Sequence, residues 1–170
     1  MKHIILIGFM GSGKTTLGHR LAKKTNLKFI DTDLYIEEKE GRKISEIFEK
    51  DGEDYFRNLE TAVLKELLDA KERTILSLGG GTPLREENRI LIKEDGYCIF
   101  LKMTAKEAYD RLKGDSQRPL LQVENPKERI QELLKVRNPI YESAADYVLI
   151  EDGKSVKQVF EELLKVIREK

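Results

Sequence analysis

The sequence predicts one α/β domain of three layers, in which helices cover both faces of a five-stranded parallel sheet. Five short apolar segments alternate with helical segments along the 170 residues, and this alternation is typical of parallel sheets. Residues 74–78 (TILSL) form an almost continuous apolar run, as in strands that are buried on both faces. A glycine-rich loop at residues 8–15 separates the first apolar segment from the first helical one.

The loop at residues 8–15 (GFMGSGKT) fits the phosphate-loop pattern G-x-x-x-x-G-K-[ST] between a strand and a helix. Its backbone N–H groups and the N-terminus of a helix starting near Gly13 are expected to surround a polyphosphate. Lys14 would neutralise the β- and γ-phosphates, and the Thr15 hydroxyl would ligate Mg²⁺. A glycine turn that carries a lysine by coincidence is the alternative, but both flanks favour a nucleoside triphosphate site. The predicted nucleotide-binding residues here are Gly11, Ser12, Gly13, Lys14, Thr15 and Thr16.

Composition argues against several classes of function. Lysine plus arginine balance aspartate plus glutamate, 31 against 31, without any block of like charge, which argues against a general nucleic-acid or membrane-surface binder. No apolar run is long enough to cross a bilayer, and the N-terminal run is too short for a signal peptide. The single cysteine, Cys98, excludes an internal disulfide and a cysteine-based zinc cluster. Cytoplasmic residence is therefore expected.

Two aspartates follow the second predicted strand, residues 28–30. Asp31 and Asp33 are two residues apart, so on an extended segment their side chains point to the same side. The carboxyl ends of strands form the ligand crevice of such sheets, and both carboxylates could therefore face the phosphate loop. Alternatively, Asp33 could cap the helix predicted for residues 34–39. Position alone favours neither interpretation.

A long amphipathic helix is predicted over residues 54–70, after a short helical turn at 45–48 and a break at Gly52. Arg57 lies beside its apolar stripe, and Glu60 lies one turn further on. The spacing by itself predicts an ordinary solvent-exposed ion pair.

Three consecutive glycines, Gly79, Gly80 and Gly81, follow the apolar strand. Bare backbone at the end of a central strand allows a ligand to approach closely, and a plain turn would not need three glycines. Thr82 as N-cap and Pro83 at the first helical position are suited to start the next helix directly.

The position of the magnesium ligand departs from a common phosphate-loop architecture, in which this central strand ends in a metal-binding aspartate. No acidic residue occurs between Ile75 and Leu84. Asp31 is then the natural acidic partner of Mg²⁺, together with Thr15.

The second half of the chain predicts two more strands, at residues 97–101 and 147–150, with helices around them. The helix after Asn125-Pro126 is expected to be interrupted by Pro139. The polar segment 113–124 lacks periodicity and is predicted to be a lid over the ligand site.

Six motifs in this order resemble the shikimate kinases of the aromatic amino-acid pathway, and the resemblance covers nearly the whole chain. The motifs are GSGKT at 11–15, DTD at 31–33, Phe56-Arg57 with Glu60, GGG at 79–81, RPLL at 118–121 and R-x-P-x-Y at 137–141. A very large class shares the loop alone, whereas the ordered set is far more specific. Gluconate kinases share the loop and an Arg-Pro-Leu-like lid, but they are not expected to carry Arg57, the triple glycine and Arg137 together.

The resemblance implies a single P-loop kinase domain over residues 1–170, with a fold like that of nucleoside monophosphate kinases. It implies ATP-dependent phosphorylation of the 3-hydroxyl of shikimate, giving shikimate 3-phosphate and ADP on the way to chorismate. A substrate-binding segment is expected at about 32–60 and the lid at about 113–124. Mg²⁺ would be the cofactor and ATP and shikimate the substrates of a monomer that binds neither nucleic acid nor membrane.

The same resemblance implies roles for single residues. Asp33 would contact the substrate hydroxyls and act as the base, and Arg57 and Arg137 would hold the substrate carboxylate. Lys14 and, from the lid, Arg118 would act on the phosphates. The backbone of Gly79, Gly80 and Gly81 would touch the acceptor, while Arg111 and Lys154 would lie on the adenine side.

Other classes of function make different demands. A GTPase switch requires a guanine-reading Asn-Lys-x-Asp segment, which the sequence lacks. A nucleotide-gated interaction module would bind ATP without any dependence on an acceptor. Within the enzymes, a kinase for another polyol acid or for a nucleoside monophosphate is the remaining alternative, and an acceptor screen separates these cases.

Overall fold

The computed structural model describes residues 2–113 and 122–170. The strands are β1 His3–Ile7, β2 Lys28–Asp31, β3 Thr74–Ser77, β4 Gly96–Lys102 and β5 Tyr147–Ile150. The helices are α1 Lys14–Thr25, α2 Thr32–Glu40, α3 Ile44–Leu68, α4 Glu86–Asp95, α5 Ala105–Leu112, α6 Pro126–Ala144 and α7 Val156–Arg168. A 3₁₀ turn, Thr82–Leu84, lies between β3 and α4.

The five strands form one parallel sheet in the order β2-β3-β1-β4-β5, as predicted. In the central strand β1, Leu6 is aligned with Ser77 of β3 and with Ile99 of β4. Ser77 is in turn aligned with Asp31 at the end of β2. The phosphate loop, Asp31 and the glycine run therefore leave the sheet at neighbouring points of its carboxyl edge.

Alternation along the strands divides the core into two apolar layers. The layer shared with α2, α3, α4 and α6 contains Ile5, Ile7, Leu76, Phe100, Ile36, Phe56, Leu64, Ile92 and Tyr141. The layer shared with α1 and α7 contains Ile4, Leu6, Ile75, Ile99, Leu149, Leu17, Leu21, Val159 and Leu163. Both faces of the sheet are thus covered by helices, which confirms the three-layer prediction.

Helix α6 continues through Pro139, so the predicted interruption is wrong. A proline inside a helix removes one backbone hydrogen bond and strains the preceding turn. Beyond it, however, Tyr141 and Ala144 continue the buried stripe begun by Ile130 and Leu134. Burial on both sides of the proline favours continuation of the helix through it.

Two predicted helix starts also differ from the structure. Helix α3 begins already at Ile44, and the predicted break at Gly52 (φ 85, ψ 174) is a kink across which the helix resumes. Helix α4 begins at Glu86 rather than at Pro83, after the extended residue Arg85. Thr82 does not cap it, because its hydroxyl donates instead to a buried carboxylate of α3.

In residues 2–113 and 122–170, none of the helices combines the length and the hydropathy that a membrane span requires.

Candidate active site

A cavity of about 520 Å³ opens at the carboxyl edge of the sheet. Its walls come from the phosphate loop, the start of α2, the middle of α3, the glycine run after β3, and α6. Most of the sequence-predicted site residues line it: Gly11, Ser12, Gly13, Lys14, Thr15, Thr16, Asp31, Asp33, Arg57, Gly79, Gly80, Gly81 and Arg137. Segments far apart in the chain therefore meet around one space.

The phosphate loop turns tightly because Gly11 (φ 79) and Gly13 (φ 84) adopt left-handed conformations, which cost glycine little. Gly13 is the N-cap of α1 and offers no side-chain cap, so the first N–H groups of the helix are available to an anion. The Lys14 ammonium donates to the carbonyls of Gly8 at 2.7 Å and Phe9 at 3.2 Å. Backbone donors, a helix N-terminus and a cation are thus assembled as a polyphosphate requires.

Thr15 and Asp31 meet directly, because Oγ1 of Thr15 donates to Oδ2 of Asp31 at 3.0 Å. The other oxygen, Oδ1, accepts the N–H groups of Asp33 at 2.9 Å and Leu34 at 3.2 Å. Asp31 is therefore the cap of α2, and the capping role considered for Asp33 is wrong.

A hydroxyl and a carboxylate beside a phosphate site fit Mg²⁺, which binds few protein oxygens and shares its shell with phosphates and water. Across the part of the chain that the structure describes, no group of three or more His, Cys, Asp or Glu side chains could hold a metal ion. Thr15 and Asp31 offer two oxygen donors beside the phosphate loop.

Asp33 lies in the first turn of α2 and faces the cavity. Burial raises its pKa to about 6; the carboxylates of Asp31 and Glu60 add to this effect and Lys14 opposes it. Such a group is ionised near neutrality yet accepts a proton more readily than an exposed aspartate, as a general base requires. Both aspartates reach the cavity as predicted, although Asp33 is helical, so the argument from an extended segment was wrong.

The glycine run leaves room for functional side chains. A Cβ at Gly79 would lie 2.7 Å from Oδ1 of Asp33, and one at Gly81 would lie 2.2 Å from Nη1 of Arg57. Neither glycine has a positive φ, so space rather than backbone conformation requires glycine at these two positions. The structure thereby gives a reason for the run that the sequence alone did not suggest.

The Arg57–Glu60 pair is largely buried, so the predicted solvent-exposed ion pair is wrong. The Glu60 side chain is only 3% exposed. Its Oε1 accepts from Nη1 of Arg57 at 2.7 Å, and its Oε2 accepts from the Thr82 hydroxyl at 2.7 Å. A buried carboxylate is tolerated when it is paired and hydrogen-bonded in this way. Glu60 thereby fixes the Arg57 guanidinium at the wall of the cavity.

Helix α6 brings Arg137 and Tyr141 to the opposite side of the glycine run. The Tyr141 hydroxyl donates to the Gly80 carbonyl at 2.6 Å, and its ring centroid lies 5.1 Å from that of Phe100. The Arg137 guanidinium carbon lies 5.9 Å from the ring centroid of Phe9 in the phosphate loop. The second arginine therefore stands between the glycine run and the phosphate loop.

Comparison with known proteins places this geometry in a family. The sequence model described as shikimate kinase matches residues 10–168. The chain belongs to the shikimate kinase family. A shikimate kinase of Thermodesulfovibrio yellowstonii is 46% identical over 165 residues, which are 97% of this chain and 94% of that protein.

Solved structures agree with the family assignment. The shikimate kinase from Acinetobacter baumannii in complex with shikimate has a TM-score of 0.90 and 38% identity, covering 99% of this chain and 94% of that one. A gluconokinase from Sinorhizobium meliloti 1021 has a TM-score of 0.57 at 15% identity, covering 99% of this chain and 96% of that one. The second likeness shows a shared fold alone. The resemblance and the P-loop kinase fold predicted from the sequence are thus confirmed.

Several apolar side chains also line the cavity of this shikimate kinase family member, and sequence reasoning did not assign them to the site. They are Met10, Ile44, Phe48 and Phe56. Phe48 and Phe56 lie on opposite sides of the Gly52 kink in α3, yet the centroids of their rings are 4.8 Å apart. Periodicity could reveal only that such residues are apolar, which is equally true of core positions.

The residues predicted for the adenine side do not line the cavity. The Lys154 ammonium donates to Glu162 of α7 at 2.6 Å. Arg111 lies beside the phosphate loop, where its Nη1 donates to the Gly11 carbonyl at 3.2 Å. Arg118 and most of the predicted lid, 113–124, lie outside the described residues.

Gly81→Ala is expected to raise the KM for the acceptor and to lower the melting temperature, while leaving the KM for ATP nearly unchanged. The new Cβ would occupy the position of the Arg57 guanidinium, and displacing this group would separate it from the buried carboxylate of Glu60. Steady-state kinetics with each substrate varied in turn, together with thermal unfolding, measure this. An unchanged acceptor KM would show that the position of Arg57 is not set by this glycine.

Proposed function

We propose that this chain transfers the γ-phosphoryl group of ATP to the 3-hydroxyl group of shikimate, giving shikimate 3-phosphate and ADP in aromatic amino-acid biosynthesis. The observation that carries the proposal is that one cavity contains a phosphate loop with Lys14, the carboxylate of Asp33, and two arginines, Arg57 and Arg137. The phosphate loop suits ATP, the carboxylate of Asp33 suits the hydroxyl of an alcohol acceptor, and the two arginines suit an acceptor that carries an acidic group. Membership of the shikimate kinase family supports the same conclusion.

The two arginines would hold the carboxylate of the acceptor. A planar guanidinium can bind a carboxylate through two parallel hydrogen bonds. Glu60 engages Nη1 of Arg57, so that side chain is pre-oriented before the acceptor binds. Backbone groups of Gly79, Gly80 and Gly81 line the same cavity and would contact the acceptor ring.

Asp33 would accept the proton of the attacking hydroxyl. The oxygen of that hydroxyl forms a bond to the γ-phosphorus as the bond from this phosphorus to the β,γ-bridging oxygen breaks, and ADP leaves. Because such transfers depend mainly on positioning and charge stabilisation, the base supplies only part of the rate. Lys14 would neutralise charge on the β- and γ-phosphates.

Thr15 and Asp31 would hold Mg²⁺ beside the phosphates, directly or through water. When bound, the ion would neutralise charge on the β- and γ-phosphate oxygens. We propose in addition that Arg118 reaches the phosphates from a lid at about 113–124, and that Arg111 and Lys154 lie toward the adenine. These three assignments rest on family resemblance.

The proposal includes a cytoplasmic monomer that binds neither nucleic acid nor membrane. The zero net charge and the single cysteine support it. A monomer is proposed because the residues of one chain suffice to surround the cavity.

Arg57→Ala and Arg137→Ala should each raise the KM for shikimate by about 10- to 100-fold, since a hydrogen bond to a charged group contributes roughly 1.5–3 kcal/mol. The KM for ATP should change little, because neither arginine belongs to the phosphate loop. An assay that couples ADP release to shikimate concentration measures both constants. Arg129→Ala is the matched control, since Arg129 lies on the same helix as Arg137 and pairs with Glu132 on its outer surface.

An analogue of shikimate without its carboxylate sharpens this test. It should bind the wild type far more weakly than shikimate does, whereas both arginine variants should hardly distinguish the two compounds. If both variants discriminate as well as the wild type, the carboxylate is held elsewhere and the acceptor end of the cavity has been assigned wrongly.

A further inference from the structure

The guanidinium of Arg111 joins three segments that the sequence keeps apart. From α5, its Nε donates to Glu107 at 2.9 Å on the same helix. Its Nη1 donates to the carbonyl of Gly11 in the phosphate loop at 3.2 Å and to Oε1 of Glu151 at 3.3 Å. The Arg111 guanidinium therefore connects the phosphate loop to α5 and to the segment that follows β5.

Helix α5 also packs closely against this loop. A Cβ at Gly11 would lie 3.0 Å from Cδ2 of Leu112, the residue after Arg111. Gly11 has a left-handed conformation (φ 79), and the direction of its carbonyl depends on the backbone conformation of the loop at this turn. A donor that holds this carbonyl therefore acts on the loop itself.

Glu151 is a buried acidic residue whose backbone is held by hydrogen bonds on both sides. Its side chain is only 3% exposed. Its N–H donates to the Lys102 carbonyl at 2.9 Å, and its carbonyl accepts from the N–H of Lys154 at 3.1 Å. Oε1 accepts from Arg111, while Oε2 is buried without a hydrogen-bond partner among the described residues.

A buried carboxylate with only one partner costs the fold free energy, so stability alone does not account for Glu151. Among the described residues, its one side-chain hydrogen-bond partner is the Arg111 guanidinium, which also donates to the Gly11 carbonyl of the phosphate loop. Glu151 itself does not line the cavity and cannot touch the phosphates there. The hydrogen-bonded path from Glu151 to the phosphate loop passes through Arg111.

We propose that Glu151 is a positioning residue for the nucleotide: through Arg111 it holds the Gly11 carbonyl, and with it the phosphate loop, in the conformation that receives the phosphates of ATP. This inference rests on the proposed function in one respect, since it assumes that the loop binds ATP. It does not depend on which acceptor is phosphorylated.

The charge of Glu151 gives the inference a second, independent consequence. Burial raises its pKa to about 7, with Arg111 and Lys14 opposing this effect and Glu107 adding to it. The charged groups around it are Arg111 and Glu107 from α5, Lys14 from α1 and, next along the chain, Asp152 and Lys154. Because the pKa of this acid is raised, the negative charge that attracts Arg111 is present above about pH 7 and is lost below it.

A double-mutant cycle tests the proposal. The dissociation constant of Mg²⁺-ATP is measured by calorimetry, without acceptor, for the wild type, Glu151→Gln, Arg111→Met and the double variant. Glu151→Gln should weaken binding about tenfold, the loss of roughly 1.4 kcal/mol, and it should have no further effect when Arg111 is already Met. Glu87→Gln is the matched control, because Glu87 forms an exposed ion pair with Lys65 at 2.7 Å.

The pH dependence of the same constants distinguishes positioning from simple loss of stability. The ratio of the Glu151→Gln constant to the wild-type constant cancels the titration of ATP itself. It should be near one at low pH, where a protonated glutamate resembles glutamine, and it should rise as the pH passes through about 7. If Glu151→Gln fails to fold, Glu151→Asp is used; it should bind ATP more weakly than the wild type while keeping a pH dependence.

Equal ATP affinity of Glu151→Gln and the wild type throughout this pH range would overturn the proposal. So would losses that simply add in the double variant. Because these measurements omit the acceptor, a failure to phosphorylate shikimate would count against the proposed function and leave this result standing.

Discussion

Asp33→Asn is expected to fold, to bind ATP normally and to lose most of its kcat, by a factor of about 10²–10⁴, the usual effect of losing a general base. The amide keeps the shape of the side chain but cannot take the proton of the attacking hydroxyl. Removing one negative charge close to Asp31 and Glu60 is not expected to weaken the fold, because these carboxylates repel it. Steady-state kinetics and calorimetric titration with ATP measure the two effects.

Asp54→Asn provides the matched control, since Asp54 is an exposed aspartate of α3 outside the cavity. A variant at position 33 that keeps the wild-type kcat and raises only the KM for shikimate would contradict the assignment. Asp33 would then bind the acceptor hydroxyls without accepting a proton.

Lys14→Ala is expected to bring phosphoryl transfer below detection. The ammonium is the cation held inside the phosphate loop by the Gly8 and Phe9 carbonyls, and an alanine leaves the charge that develops on the β- and γ-phosphates without it. ADP release should vanish at every acceptor concentration, while thermal unfolding stays close to that of the wild type.

Lys23→Ala is the corresponding control, because Lys23 lies in the last turn of the same helix and is exposed. Substantial turnover by Lys14→Ala would remove this lysine, and with it the central feature of the phosphate loop, from the mechanism. A comparably large loss of kcat is expected from Arg118→Ala, a prediction that rests on family resemblance.

The parts of the fold that the sequence predicted well depend on local chemistry. The phosphate loop is encoded by residues that are adjacent in the chain, and the alternation of apolar strands with helices suffices to place its neighbours at one edge of a parallel sheet. The convergence of Lys14, Asp31 and Asp33 on the cavity follows from that topology. Family resemblance was needed to bring Arg57 and Arg137 to the same place, because nothing in their own spacing points inward.

The features that were missed depend on partners remote in sequence. Glu60 was expected to be exposed. Its burial could not be predicted locally, because its partner Thr82 belongs to a turn that follows another strand. The glycines at 79 and 81 leave room for side chains from α2 and α3, which no single segment reveals. The proposed role of Glu151 could not be predicted from its own segment, since it depends on Arg111 of α5. The interruption predicted at Pro139 was wrong because burial of Tyr141 and Ala144 outweighs the local cost of a proline inside a helix.

The proposed kinase activity is tested most directly by incubating the purified chain with ATP, Mg²⁺ and a panel of acceptors: shikimate, gluconate and nucleoside monophosphates. ADP release is followed, and the phosphorylated product is located by phosphorus and proton NMR. ADP release is expected to depend on shikimate and to equal the amount of product that carries phosphate on the 3-hydroxyl, with far less release for the other acceptors. Release that is independent of shikimate, or preferred phosphorylation of gluconate or a nucleotide, would contradict it.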